Sequence, residues 1–145
     1  MKYPSEHSEQ STVIDWTFMM MGKYPELDLI FAVPNGASTG PIGKNSLKRE
    51  GLRPGVCDLF LPCARGGFHG MFIEMKAHSG KLSENQEQFI AAVEKQGYYT
   101  AVCWGAQEAI NQLEYYLGLE DINLKLVDLQ AQTNRKATIY LTHKD

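Results

Sequence analysis

Three cysteines are all this chain has, Cys57, Cys63 and Cys103, and no two of them form a CxxC pair. An odd number of thiols on apolar segments excludes a disulfide framework and reads as reduced, buried cysteine. The series Cys57, Cys63, His69, His78 matches no familiar zinc spacing, so no zinc site is expected there. Also missing is any apolar run near the roughly 18 residues of a membrane span. The polar opening "MKYPSEHSEQ" lacks the basic and apolar regions of a secretory signal, which leads us to expect a soluble, cytoplasmic protein with no membrane partner. Internal repeats and low-complexity stretches are absent too. What remains is ordinary globular material: 145 residues, 43% hydrophobic and 21% charged, enough for one sizeable core.

A net charge of −3 is a poor match for a polyanion, yet the charge is unevenly spread. Between Lys44 and Lys81 seven basic residues face three acidic ones, a local +4 that leaves −7 for the rest of the chain. The middle of the chain is therefore the candidate nucleic-acid surface, with Lys44, Lys48, Arg49 and Arg53 as phosphate contacts that add salt-sensitive affinity without sequence choice.

Periodicity predicts the order α, β, loop, β, β, α, β, α and a tail. A first helix over 5–21 carries Val13, Trp16 and Met20 on one stripe, which Glu9 extends and Asp15 does not. A strand follows over 27–33, ended by the Pro34, Asn35, Gly36 turn signal. The basic stretch after it holds too many breakers for one regular element, although 45–50 suits a short helix stopped by Gly51. Two strands, "CDLFLPC" and "GMFIEMKA", flank a Gly66-Gly67 turn signal. The next helix opens at Ser83, ends before Gly97 and turns Gln86, Phe89, Ile90 and Val93 to one side. "YYTAVCW" reads as a third central strand, and the closing helix has Ala106, Ile110, Leu113 and Leu117 inward. In the tail, 122–130 and 137–143 alternate like strands.

The chemistry lies in the two central strands. In a hairpin centred near Gly66, residues equally distant from it face each other, which sets Asp58 opposite Glu74. Strand alternation puts Glu74 and Lys76 on one face. A solvated cross-strand salt bridge is the plain reading of such a pair, but it contributes only about 0 to 1 kcal/mol and explains little inside an apolar strand. Two carboxylates beside a lysine suit phosphodiester hydrolysis with a hard divalent cation. Mg²⁺ (or Mn²⁺) takes oxygen ligands, here Asp58, Glu74 and the backbone carbonyl of Met75, and keeps several waters. Lys76 then orients water or stabilises charge on the phosphate.

This constellation resembles the PD-(D/E)XK nuclease superfamily, whose restriction-endonuclease-like fold is an α/β one, a mixed β-sheet flanked by helices. More narrowly, "PNG", "LKREGLRPGVCDLFLP", "GMFIEMKAHSGKLSENQEQF" and "GYYTAVCWGAQEAI" resemble the VRR-NUC (virus-type replication-repair nuclease) domain, whose single-domain members occur in phages and bacteria. The resemblance implies a nuclease domain over 1–118, with 119–145 as an extension that forms a β-hairpin or a dimer contact. It implies metal carboxylates at Asp58 and Glu74, a catalytic lysine at Lys76, a glutamine at Gln86 and a first-helix glutamate at Glu9, with Glu6 on the same helix face as the alternative. Gln86 also fits a capping box with Ser83. Where the family usually has proline, this chain has Cys57. The expected activity is Mg²⁺-dependent, structure-selective cleavage of branched DNA such as four-way (Holliday) junctions in repair or recombination, by a homodimer. The competing readings are a non-selective DNA nuclease or nickase, a non-cutting DNA-binding module with the same fold, and a subunit whose acidic ends bind protein partners.

Overall fold

The computed structural model describes residues 2–34 and 41–121 together with 130 and 132, the side chains of 41–44 excepted. Helix α1 (Glu6–Met20) opens on Ser5, whose side chain accepts from the Ser8 N–H. Strand β1 is only Phe31–Ala32, α2 is Pro41–Arg49, β2 is Leu59–Leu61 and β3 is Met71–Lys76. Helix α3 (Glu84–Lys95), strand β4 (Tyr99–Trp104) and helix α4 (Ala106–Leu117) complete the order. The strands form one mixed sheet in the order β1-β2-β3-β4. Among the described residues no helix is long and apolar enough to cross a membrane.

The hairpin forms as its symmetry requires. Leu59 pairs with Ile73, Phe60 with Phe72 and Leu61 with Met71, each pair equally distant from Gly66. Gly66 and Gly67 both have positive φ, 58° and 86°, which a tight two-residue turn demands and other residues resist. From β3 the chain crosses over through α3 and returns as β4 parallel to it, with Met71 beside Tyr99 and Lys76 beside Trp104.

The two sheet faces differ in use. Leu59, Leu61, Met71, Ile73 and Met75 point into the core, fully buried with Val13 of α1 and Ala109, Leu113 and Tyr116 of α4. The other face carries Phe60, Phe72, Glu74 and Lys76 toward α3. There Phe72 stacks on Phe60 at 4.4 Å between ring centroids and meets Phe89 edge-on at 5.3 Å. No residue of α3 is fully buried, so this layer is thin and leaves the charged end of β3 near the surface.

Four local expectations are corrected. Residues 27–33 are not one strand: Pro25–Leu29 is a 3-10 turn with Pro25 at its start, and only Phe31–Ala32 pairs with β2. Proline's fixed φ favours the turn, and a short apolar run does not distinguish the two by itself. The helix in the basic stretch starts earlier than residue 45, at Pro41, where a proline lacks only a hydrogen bond that the first turn never makes. Among the described strands β4 lies at one end of the order rather than in its centre. In α4 Ala106, Leu113 and Leu117 are buried as expected, but Ile110 is only half-buried and Ala109 and Tyr116 are buried as well; the Tyr116 hydroxyl donates to the Cys63 carbonyl at 2.5 Å, which satisfies it there. The three cysteines are free and buried, as expected. Of the two tail segments, 122–130 and 137–143, only Gln130 is described, and it is helical; the rest lie outside the described residues.

Candidate active site

Extending the β2/β3 ladder by one residue brings Asp58 opposite Glu74. The Val33 N–H donates to the Asp58 carbonyl at 2.8 Å, fixing the backbone there, and Asp58 Oδ2 accepts from the Met75 N–H at 2.7 Å. Glu74 and Lys76, two apart on β3, emerge together: Lys76 Nζ is 3.3 Å from Glu74 Oε1, and the side chains are only 8% and 3% exposed. That burial removes the solvated salt bridge as an explanation, since it leaves two charges withdrawn from water at a cost that a surface pair never meets.

Gln86 joins the group from α3. Its Nε2 donates to Glu74 Oε1 at 2.7 Å. Its Oε1 accepts from Lys76 Nζ at 2.9 Å and from the Ser83 N–H at 2.9 Å. One side chain therefore completes the capping box with Ser83 and also reaches Glu74 and Lys76. Gly55 brings the segment before Asp58 against the first turn of α3. A Cβ there would lie 2.3 Å from the Asn85 carbonyl oxygen, so glycine is needed for this approach.

From α1, Glu6 and Glu9 go to different places. Glu6 Oε1 accepts from the Ala77 N–H at 3.1 Å, just past Lys76, and its charge acts on both Asp58 and Glu74. Glu9 Oε2 accepts from the Ala106 N–H at 2.7 Å, capping the start of α4, where Gly105 supplies no side chain of its own. Of the basic residues assigned to phosphate, Lys48 and Arg49 are exposed in the last turn of α2 and Arg53 is exposed after Gly51. Lys44 lies in the same helix. Sequence reasoning missed Arg65, which is buried between Glu26 at 2.8 Å and Asp121 at 3.6 Å. Its place beside a glycine turn resembled a loop residue.

The electrostatics are those of carboxylates held out of water. Burial, and then the charge of Asp58, push the Glu74 carboxyl up to about 7, with Lys76 pulling the other way. Burial also raises Asp58, offset by its bond from the Met75 N–H. The neighbouring Cys57 thiol is pushed up to about 12, chiefly by burial, which excludes a thiolate nucleophile at neutral pH. Glu74 Oε2 is buried and has no hydrogen-bond partner. Among the described residues no three His, Cys, Asp or Glu side chains converge as a metal cage.

The VRR-NUC domain family model matches residues 2–107. The chain belongs to that family. A solved structure described as a VRR_NUC domain protein superposes with a TM-score of 0.71 at 29% identity, covering 83% of this chain and 93% of its own. A search of curated proteins found no match. Membership of the VRR-NUC family carries a nuclease-type function, and the mixed sheet flanked by helices is that of its solved relative. Within this VRR-NUC domain, Asp58, Glu74, Lys76 and Gln86 form one hydrogen-bonded cluster, joined by Glu6 through the Ala77 N–H; Glu9 stands at α4.

Proposed function

We propose that the protein is a Mg²⁺-dependent DNA endonuclease of PD-(D/E)XK type that hydrolyses phosphodiester bonds at the Asp58, Glu74, Lys76 cluster. The observation that carries this reading is Glu74 Oε2: a carboxylate oxygen that is buried without a partner costs stability and suits a ligand that brings positive charge. The donors fit a hard cation, since Asp58, Glu74 and the Met75 carbonyl are all oxygen. Two carboxylates and one carbonyl would leave the remaining positions of an octahedral ion to water, as Mg²⁺ prefers. When bound, the ion supplies Lewis acidity and a water more acidic than bulk.

The chain's own groups do the rest. Asp58 is held by the Met75 N–H and Glu74 by Gln86, so neither carboxylate needs to reorganise. Lys76 Nζ, anchored on Gln86 Oε1, presents an ammonium to the oxygens of a phosphate laid across the end of β3. In the reaction water adds to phosphorus, a P–O ester bond breaks, and the departing sugar oxygen takes a proton. Lys48, Arg49 and Arg53 position the backbone without reading bases. Preference for four-way junctions and assembly as a homodimer, with the tail as the contact, follow by analogy with single-domain relatives and belong to the same proposal.

Supercoiled plasmid incubated with purified protein and Mg²⁺, Mn²⁺ or EDTA tests the reading. Nicking with either cation and none in EDTA is expected. DNA binding with no cleavage under any condition would leave a non-cutting module with this fold. Sedimentation equilibrium with junction-against-duplex competition checks the finer claims, and a monomer cutting both equally would be a non-selective nuclease.

A further inference from the structure

Beside the catalytic cluster the ends of β3 and β4 enclose a cleft of about 120 Å³ lined by Tyr3, Glu9, Lys76, His78, Trp104 and Gly105, among others. Three of these carry aromatic rings, and all three are already organised. Tyr3 stacks flat on His78, with ring centroids 4.0 Å apart and planes within 11°. Trp104 is pinned by its indole N–H, which donates to the Gly80 carbonyl at 2.9 Å. Tyr3 and Trp104 nonetheless remain 58% and 43% exposed, so ring surface beside the cluster is open to a ligand. Lys76 lies in both the cleft and the cluster, and it pairs with Trp104 across the β3/β4 ladder.

We infer that this cleft binds one unpaired nucleobase by stacking, so that the strand is cut beside a nucleotide that is out of the duplex. The inference rests on the nuclease reading for the word "cut" and on the geometry for the binding. The lining argues for a base rather than a second phosphate: its lysine, Lys76, serves the scissile phosphate, and the other side chains include three rings and the Glu9 carboxylate. Size argues for one ring system rather than a base pair, the volume being well below the roughly 300 Å³ at which ordinary ligand pockets begin. Every base has a π-face, so stacking here selects strand state and not sequence. In an intact duplex that face is covered, and the base must leave the stack to reach the cleft. The preferred substrate therefore has an unpaired nucleotide at the scissile position, at a frayed end, gap or branch.

Affinities for a single-stranded oligonucleotide and a blunt duplex of equal length, measured in EDTA at fixed salt, test this without any cleavage. The single-strand-to-duplex affinity ratio is expected to fall roughly tenfold in Trp104→Ala and in Tyr3→Ala, and to stay within about threefold of wild type in Trp104→Phe, which keeps a ring. Thermal melts establish that each variant is folded, and should Trp104→Ala fail to fold, Tyr3→Ala and Trp104→Phe decide. An unchanged ratio in Tyr3→Ala and Trp104→Ala overturns the inference, as does an equal loss for both DNAs or a Trp104→Phe as impaired as the alanine variant. A ratio that depends on the rings in a protein that cuts nothing with Mg²⁺ or Mn²⁺ sinks the nuclease reading alone. Cleavage with a ring-independent ratio sinks this inference alone.

Discussion

Gln86 donates from Nε2 to Glu74 Oε1 at 2.7 Å, and the same amide's oxygen accepts from the Ser83 N–H, so the first turn of α3 determines where the Glu74 carboxylate stands. A helix cap and a proposed metal ligand are thus mechanically one unit. The consequences of breaking it separate by which atom is removed.

Ser83→Ala deletes the hydroxyl that caps the Gln86 N–H but keeps the Ser83 N–H that holds the Gln86 side chain. It should cost about 1 kcal/mol of stability and leave most nicking activity. Gln86→Ala should cost a similar amount of stability and also reduce nicking by about tenfold or more, because Glu74 and Lys76 both lose their partner. Thermal melts beside a plasmid assay distinguish the two, and equal activity in both variants would reduce Gln86 to a cap.

Lys76→Ala is expected to abolish cleavage while retaining DNA binding. Because Lys76 opposes the upward push on Glu74, its removal should also weaken Mg²⁺ at pH 7 and less so at pH 9. Calorimetric titration of Mg²⁺ at both values checks this. An active Lys76→Ala protein would overturn the assigned role.

The Glu74 carboxyl gives a signed pH dependence. Its folded value, about 7, lies above the ordinary 4.5, so the folded state binds this proton more tightly than the unfolded one. The stability this provides is complete below about pH 4.5 and is lost as pH rises through 7. Against wild type, metal-free Glu74→Gln should therefore gain on the order of 3 kcal/mol between pH 4.5 and 8, read as a difference of denaturant midpoints. A difference independent of pH would mean that Glu74 is ionised throughout. Metal binding requires the ionised form, so Mg²⁺ affinity of the wild type should fall about tenfold per unit below pH 7.

Lys48 and Arg53, exposed around Gly51, are assigned to backbone phosphates. Replacing both with alanine should flatten the slope of log K against log salt by about two, equally for different sequences. Fluorescence anisotropy across a salt series measures it. An unchanged slope would place the DNA elsewhere.

Much of this site was legible because its geometry is local. The two-residue period of a strand obliges Glu74 and Lys76 to share a face, a glycine pair fixes the hairpin's symmetry, and Ser83 with Gln86 writes the start of α3 into four residues. The sequence alone thus determined the hairpin, its register, the helix that faces it and the residues that meet there. Only the tertiary structure decided the rest, because it depends on contacts between segments far apart in the chain. Glu6 and Glu9 sit one turn apart on α1, and no periodicity distinguishes them. The packing of α1 against the end of β3 sends Glu6 to the Ala77 N–H, and its approach to α4 sends Glu9 to Ala106. The short apolar run 27–33 obeyed Pro25 and the demand to bury Leu27, and so became mostly a turn. Burial itself is the clearest case. That Glu74 keeps an oxygen shielded from water and unpartnered depends on Asp58, Lys76 and Gln86 closing round it from three separate segments, and low dielectric is a property of the assembled fold that no single stretch of chain carries.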